Sequence, residues 1–291
     1  MPDPERTGDA AEADVVIEDR LLPGWDPDEP VPATIYRPRT GGKRPVVFVL
    51  HGFGCSKEES APRLPGLARA GFVAVALDGF LHGRRREPGV FARELADLAD
   101  PYAIWVHQTC VSRTAGDVSR IIDHLGDLPQ ADPSRVGATG VSMGGCSTLV
   151  LACREPRLSA AVSLIGAADF WWDVTKIAPG PEQDAFRKRL SPRLHQLVNS
   201  LDPTRHMAGI RPKPVLLLNG GKDHWIDPRS VEQFARRLRE RYYGDGPENV
   251  ACLVEPDVGH RVTDLMWARM TAWFARHLQG RRVAVEQPPM S

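Results

Sequence analysis

Nowhere in these 291 residues is there an apolar run of the roughly 18 residues that a membrane-spanning helix needs, so no span is expected. The first ten residues, Met1 to Ala10, are polar and acidic and lack the basic start and apolar core of a secretory signal, which points to a cytoplasmic protein. Charge of either sign is not in excess. The 37 basic and 37 acidic side chains cancel to a formal net charge of zero, which argues against a nucleic-acid partner. Cysteines number only five, an odd count without metal-like spacing, and no H-E-x-x-H occurs, so neither a disulfide framework nor a metallohydrolase is expected. What is plentiful is apolar side chain, at 42% enough for the sizeable core of one domain spanning 1–291.

One pentapeptide carries most of the chemistry. Gly140-Val141-Ser142-Met143-Gly144 is a G-x-S-x-G sequence. The run Arg135 to Thr139 before it reads as a short buried strand, and Cys146 to Cys153 after it as a helix of small residues. Ser142 would then sit on a sharp strand-to-helix turn, where residues two before and two after must be tiny. That is the signature of a nucleophile elbow; a glycine-rich turn cradling an anion at a helix N-terminus is the competing explanation.

A serine used in this way needs an acid and a histidine after it in the chain, each on a loop following a strand. The strand Lys213 to Leu218 runs into Gly220-Gly221-Lys222-Asp223, which makes Asp223 the candidate acid. Val250 to Glu255 reads as the next strand, and Pro256-Asp257-Val258-Gly259-His260 brings His260 as the candidate base. Ser142 would attack, His260 would take and return the proton, and Asp223 would orient the imidazole, with no cofactor. Asp227, followed by Pro228, reads instead as a helix cap, and Asp257 and Asp264 as a turn former and a solvated carboxylate.

Donors to a developing oxyanion are expected after an earlier strand. Pro45 to Leu50 is such a strand and continues into His51-Gly52-Phe53-Gly54, so the backbone amides of Phe53 and Met143 are the candidate oxyanion hole. His51 reads as a loop-holding residue, as does His82. Cys55 beside this loop, and Cys146 with Cys153, read as packing thiols. Arg84-Arg85-Arg86 reads as a solvated or salt-bridged segment.

With these residues in order, the chain resembles the α/β-hydrolase superfamily over nearly its whole length. It is most similar to serine esterases related to dienelactone hydrolases and to the catalytic domains of prolyl oligopeptidases. His51-Gly52-Phe53-Gly54 and the Asp-x-x-x-His-Gly segment from Asp78 to Gly83 carry that narrower likeness. Dienelactone hydrolase itself has a cysteine where Ser142 stands, and fewer than 50 residues precede the first motif, too few for an added propeller. The resemblance implies a carboxylesterase acting on a small-molecule ester or acyl substrate through an acyl-enzyme. A serine peptidase or thioesterase is the neighbouring alternative, and a non-catalytic binding protein the distant one.

The expected fold is α/β: a mostly parallel eight-stranded sheet with helices on both faces and a small helical cap. Asp14 to Glu18 and Val31 to Arg37 read as two leading antiparallel strands, and strands starting near Val46, Val73, Val136, Ala160, Val215 and Val250 alternate with helical patterns. The stretch 167–211 breaks that alternation and is expected to form the cap, with Phe170, Trp171 and Trp172 lining the substrate pocket or packing the cap onto the body. Tyr102 to Leu125 should hold a long helix with Trp105 in the core. His107 is expected to be exposed or at the cleft rim, without chemistry. The tail from Arg281 to Ser291, with Pro288-Pro289, is expected to be loose or docked on a partner.

Overall fold

The computed structural model describes residues 14–87 and 100–281; most of the carboxy-terminal tail and the amino-terminal ten residues lie outside them. Eight strands form one sheet, in the order β1-β2-β4-β3-β5-β6-β7-β8. β1 (Val15–Leu22) and β2 (Val31–Pro38) run antiparallel to each other, and β2 antiparallel to β4 (Val73–Leu77). From β4 onward, β3 (Arg44–Leu50), β5 (Ala131–Val141), β6 (Leu158–Leu164), β7 (Val215–Gly220) and β8 (Val250–Glu255) pair in parallel. The chain therefore has the mostly parallel α/β-hydrolase sheet, with antiparallel strands confined to one edge.

Apolar side chains on both sides of each central strand explain why helices must cover both faces. In β3, Val46, Phe48 and Leu50 enter one core cluster with Ile104, Val118, Leu149 and Phe234. Val47 and Val49 point the other way, into a second cluster with Leu67, Met270 and Phe274. Each fully buried side chain of this size contributes about 1.5–3 kcal/mol of transfer free energy. The first layer contains α2 (Pro101–Asp123), α3 (Met143–Arg154) and α7 (Pro228–Tyr242), the second α1 (Leu64–Arg69) and α8 (Asp264–Gln279).

Local signals start these helices where the core needs them. Asp100 accepts hydrogen bonds from the amides of Tyr102 and Ala103 at the start of α2, ahead of Pro101. Asp227 does the same for α7 ahead of Pro228, as expected. β5 is longer than its sequence pattern, because Ala131 and Asp132 pair with Arg44 and Pro45 before a register shift. Trp105 is not in the core. It is 50% exposed, since Ile104, Val111, Ala115, Val118 and Ile122 form the buried stripe of α2 and position 105 falls beside it.

Residues 167–211 hold three short helices, α4 (Phe170–Thr175), α5 (Pro181–Arg187) and α6 (Pro192–Leu201). Asp169 caps α4 by accepting from the Trp172 amide, and Ser191 caps α6 by accepting from Leu194. These helices sit between β6 and β7, beside α2.

Candidate active site

The carboxyl ends of β3, β5, β7 and β8 converge on one edge, where open α/β sheets place their sites. Ser142 follows β5 directly, at φ 53° and ψ −112°. That conformation is sparsely populated for an L-residue and costs about 1–3 kcal/mol. Close packing on both sides holds it: a Cβ on Gly140 would lie 2.3 Å from the Gly144 carbonyl carbon, and one on Gly144 would lie 2.3 Å from the Leu50 oxygen. Both glycines of the pentapeptide are thus required by contact.

The structure brings Ser142, His260 and Asp223 together. His260 Nε2 lies 2.9 Å from Ser142 Oγ, and Nδ1 lies 2.7 Å from Asp223 Oδ2. A carboxylate can only accept, so Nδ1 carries the proton and Nε2 is the acceptor facing the serine hydroxyl. Asp223 Oδ1 accepts from the amides of Trp225 (2.8 Å) and Ile226 (3.0 Å). Burial works to raise the Asp223 carboxyl. The hydrogen bonds from His260, Ile226 and Trp225 outweigh it and hold the group below its ordinary value, so it stays ionised. The loops after β7 and β8 are tied to each other: the Lys222 amide donates to Val258, and a Cβ on Gly220 would lie 2.3 Å from the Val258 oxygen.

The competing carboxylates lie elsewhere. Asp257 pairs with Lys222 and Asp264 with Arg63, both carboxylates well exposed. His224 is exposed.

Around the expected oxyanion donors, the loop after β3 is held by histidine. His51 Nε2 accepts from the Gly79 amide at 2.9 Å, so its Nδ1 is the donor to Gly52 O at 2.7 Å. Burial lowers the His51 pKa, which keeps this single-proton form at neutral pH. Phe53 follows, its ring against those of His82 and His107. Met143 is the first residue of α3, a position whose amide has no acceptor within the helix.

The Asp-x-x-x-His-Gly segment is structural. Asp78 is fully buried and accepts from the amides of Lys57 and Arg84, each at 3.0 Å. A Cβ on Gly83 would collide with that carboxylate at 2.0 Å. His82 binds the Phe80 oxygen. Within the arginine run, Arg85 is buried rather than solvated, paired with Asp117 at 2.7 Å. Cys55 and Cys146 are pushed up to about 11 and about 12 by burial, which leaves them protonated and poor nucleophiles.

A cavity of about 520 Å³ opens onto Ser142 and His260. Phe170, Trp171 and Trp172 are not among its lining residues, contrary to the first of the two expectations for them. All three are buried: Trp171 Nε1 donates to Asn199 Oδ1, and its ring packs at a tilt against His195, so these rings pack the helices of 167–211. The same helix instead supplies Asp173, and Lys176 follows at its C-cap. His107 lines the cavity, in line with its expected place at the cleft rim, and so do Trp225, Arg261 and Trp267, for which the sequence carries no such expectation. Among the described residues no group of three His, Cys, Asp or Glu side chains could hold a metal ion, and no helix is long and apolar enough to cross a membrane.

The model of the prolyl oligopeptidase family matches residues 101–281. "Putative esterase YitV" of Bacillus subtilis is 26% identical over 242 residues, covering 80% of this chain and 89% of that protein. A solved structure from Klebsiella pneumoniae, "Putative Dienelactone Hydrolase", superposes with a TM-score of 0.64 at 22% identity, over 90% of this chain and 99% of its own. Acetyl xylan esterase 1 from Thermoanaerobacterium superposes with a TM-score of 0.61 at 19% identity, over 91% and 90%. At these identities the two structures carry the fold alone.

Proposed function

We propose, from the premise that this chain belongs to the prolyl oligopeptidase family, that it is a serine carboxylesterase cleaving small carboxylic esters. The carrying observation is the hydrogen-bonded series Ser142–His260–Asp223 on one sheet edge. Ser142 Oγ attacks the ester carbonyl while His260 Nε2 takes its proton, and the amides of Phe53 and Met143 face the oxygen as it becomes negative. Backbone donors of that kind are worth about 3 kcal/mol each in the transition state. The tetrahedral intermediate collapses, His260 returns the proton to the departing alcohol, and the acyl group remains on Ser142 until water, activated by the same histidine, releases it. Asp223 keeps the imidazole in the tautomer that can accept at Nε2.

Esters are favoured over other acyl compounds by the name of the Bacillus relative, whose sequence aligns over most of both chains. Family membership favours a second reading, a serine peptidase, because amides pass through the same intermediate. In either case the helices of 167–211 serve as a cap on a single domain, with Asp173 and Lys176 reaching the cavity. The five free thiols fit a reducing, cytoplasmic setting.

The test is hydrolysis of p-nitrophenyl esters from acetate to decanoate by the wild type and Ser142→Ala, with fluorophosphonate labelling alongside. A chain-length optimum that the alanine variant loses by about 10³-fold or more is expected. Labelling without turnover of any ester would transfer the assignment to peptides or thioesters, and a folded wild type that resists the probe would indicate a binding protein.

A further inference from the structure

Contacts among its lining residues divide the cavity at Ser142 into two chemically different ends. One, beside the His260 loop, contains Arg63, Arg261, Val262 and Trp267, with Arg63 over the Trp267 ring at 5.6 Å. The other contains Phe53, His107, Cys146, Asp173 and Lys176. Reaction geometry assigns them. The departing alcohol must receive its proton from His260 Nε2 and therefore leaves toward the His260 loop. The carbonyl oxygen is directed at the Phe53 and Met143 amides, so the acyl substituent extends into the second end.

That end is not a plain apolar pocket. The His107 ring lies 5.7 Å from the Phe53 ring, and its nitrogens have no hydrogen-bond partner among the described residues. Asp173 Oδ1 holds Lys176 Nζ at 2.8 Å, and the same ammonium is bound by the Trp225 carbonyl. Asp173 Oδ2 takes no hydrogen bond from a described residue. Asp173 and Lys176 both act electrostatically on His107, one favouring its charged form and the other opposing it, while burial lowers its pKa and leaves the ring neutral. A neutral imidazole offers one N–H and one acceptor nitrogen. The end wall thus combines a carboxylate oxygen, a neutral ring and an ion pair whose charges cancel.

We infer that His107 and Asp173 form a polar acyl subsite that selects short acyl groups bearing a neutral hydroxyl, which would donate to Asp173 Oδ2 and accept from the His107 N–H. An acyl group carrying its own carboxylate is disfavoured there, because it would meet Asp173, whose counter-ion is already engaged. An unsubstituted alkyl chain leaves both polar groups without a partner, which costs about as much as the lost hydrogen bonds. This subsite rests on the ester hydrolase reading given above.

The experiment compares methyl 3-hydroxybutyrate, methyl butyrate and monomethyl succinate by pH-stat, on the wild type, His107→Phe and Asp173→Asn. Phenylalanine keeps the ring contact with Phe53 and removes both nitrogens. The wild type is expected to favour the hydroxy ester over butyrate by about tenfold in kcat/KM, the worth of one hydrogen bond to a charged group, and to turn over the succinate half-ester least. That ratio falls toward one in His107→Phe and falls less far in Asp173→Asn, whose amide oxygen can still accept, with the change in KM. The wild-type ratio needs no variant, so a variant that fails to fold does not remove the test. A wild-type ratio of one or less, or a ratio retained in His107→Phe, overturns the subsite while turnover of butyrate upholds the hydrolase. Failure on every ester with Ser142 still labelled by fluorophosphonate overturns the subsite and leaves the nucleophile standing. Failure on every ester without labelling sinks both.

Discussion

Ser142 and Asp223 illustrate two ways in which single residues depend on their surroundings. Ser142 holds a backbone conformation unfavourable to an L-residue, and the glycines at 140 and 144 let the chain close around it. Asp223 is a carboxylate whose side chain is wholly removed from solvent, yet three hydrogen bonds keep it charged. Its role in the proposed mechanism is to fix a tautomer, and Asp223→Asn tests that role. The amide can donate to Nδ1, which moves the imidazole proton to Nε2 and removes the acceptor facing Ser142. The expected result is a fall of about 10⁴-fold in kcat at neutral pH with little change in KM, measured on whichever p-nitrophenyl ester the wild type prefers. A loss below tenfold would mean that the tautomer is held by something other than Asp223. These residues were readable from sequence because each lies at or just beyond the end of an apolar strand, so strand period and chain order suffice to place them. His107 and Asp173 were not readable in this way. Each lies within a helix, and which helical positions face a cavity depends on how that helix is packed.

Among the elements, α6 ends in an unusual way. Asp202 follows Leu201 and caps the short turn Pro203–Arg205, with Oδ1 accepting from the Thr204 amide (2.8 Å) and hydroxyl (2.7 Å). Its Oδ2 is buried without a partner among the described residues. Burial, reinforced by the nearby Asp169 charge, pushes the Asp202 carboxyl up to about 6. The folded value lies above the ordinary unfolded one, so between about pH 4 and pH 6 the folded state binds more protons than the unfolded state, and stability falls as pH rises through that window. From pH 5 to pH 7.5 the loss amounts to about 1 kcal/mol. Asp202→Asn keeps the capping oxygen and removes the titration. Denaturant unfolding at the two pH values should show the variant gaining about 1 kcal/mol on the wild type as the pH is raised; an unchanged difference would place the source of any acid stabilisation elsewhere. Helix α2 gives the complementary lesson. Its apolar pattern announced a helix, but it holds more apolar residues than its buried stripe can take, and Trp105 was assigned inward when it faces out.

For the molecule as a whole, the balance of 37 basic and 37 acidic side chains and an isoelectric point near 7.1 leave little net charge to keep copies apart at neutral pH. Static light scattering at low salt should therefore detect the strongest self-attraction near pH 7, weakening by pH 9; a response flat across that range would indicate association through a specific patch rather than through lack of net charge. The α/β architecture, the strand positions, the two antiparallel leading strands and the chain order of serine, acid and histidine were determined by the sequence alone. These are consequences of local periodicity, turn chemistry and connection rules that act over a few residues at a time. Tertiary packing alone decided that Phe170, Trp171 and Trp172 fill the interior of their helices while Asp173 and Lys176 reach the cavity, and that Arg85 is drawn inside to Asp117. Aromatic bulk and charge in a sequence say that a residue needs partners, but the partners come from segments tens of residues away and are met only when the sheet has brought its loops together.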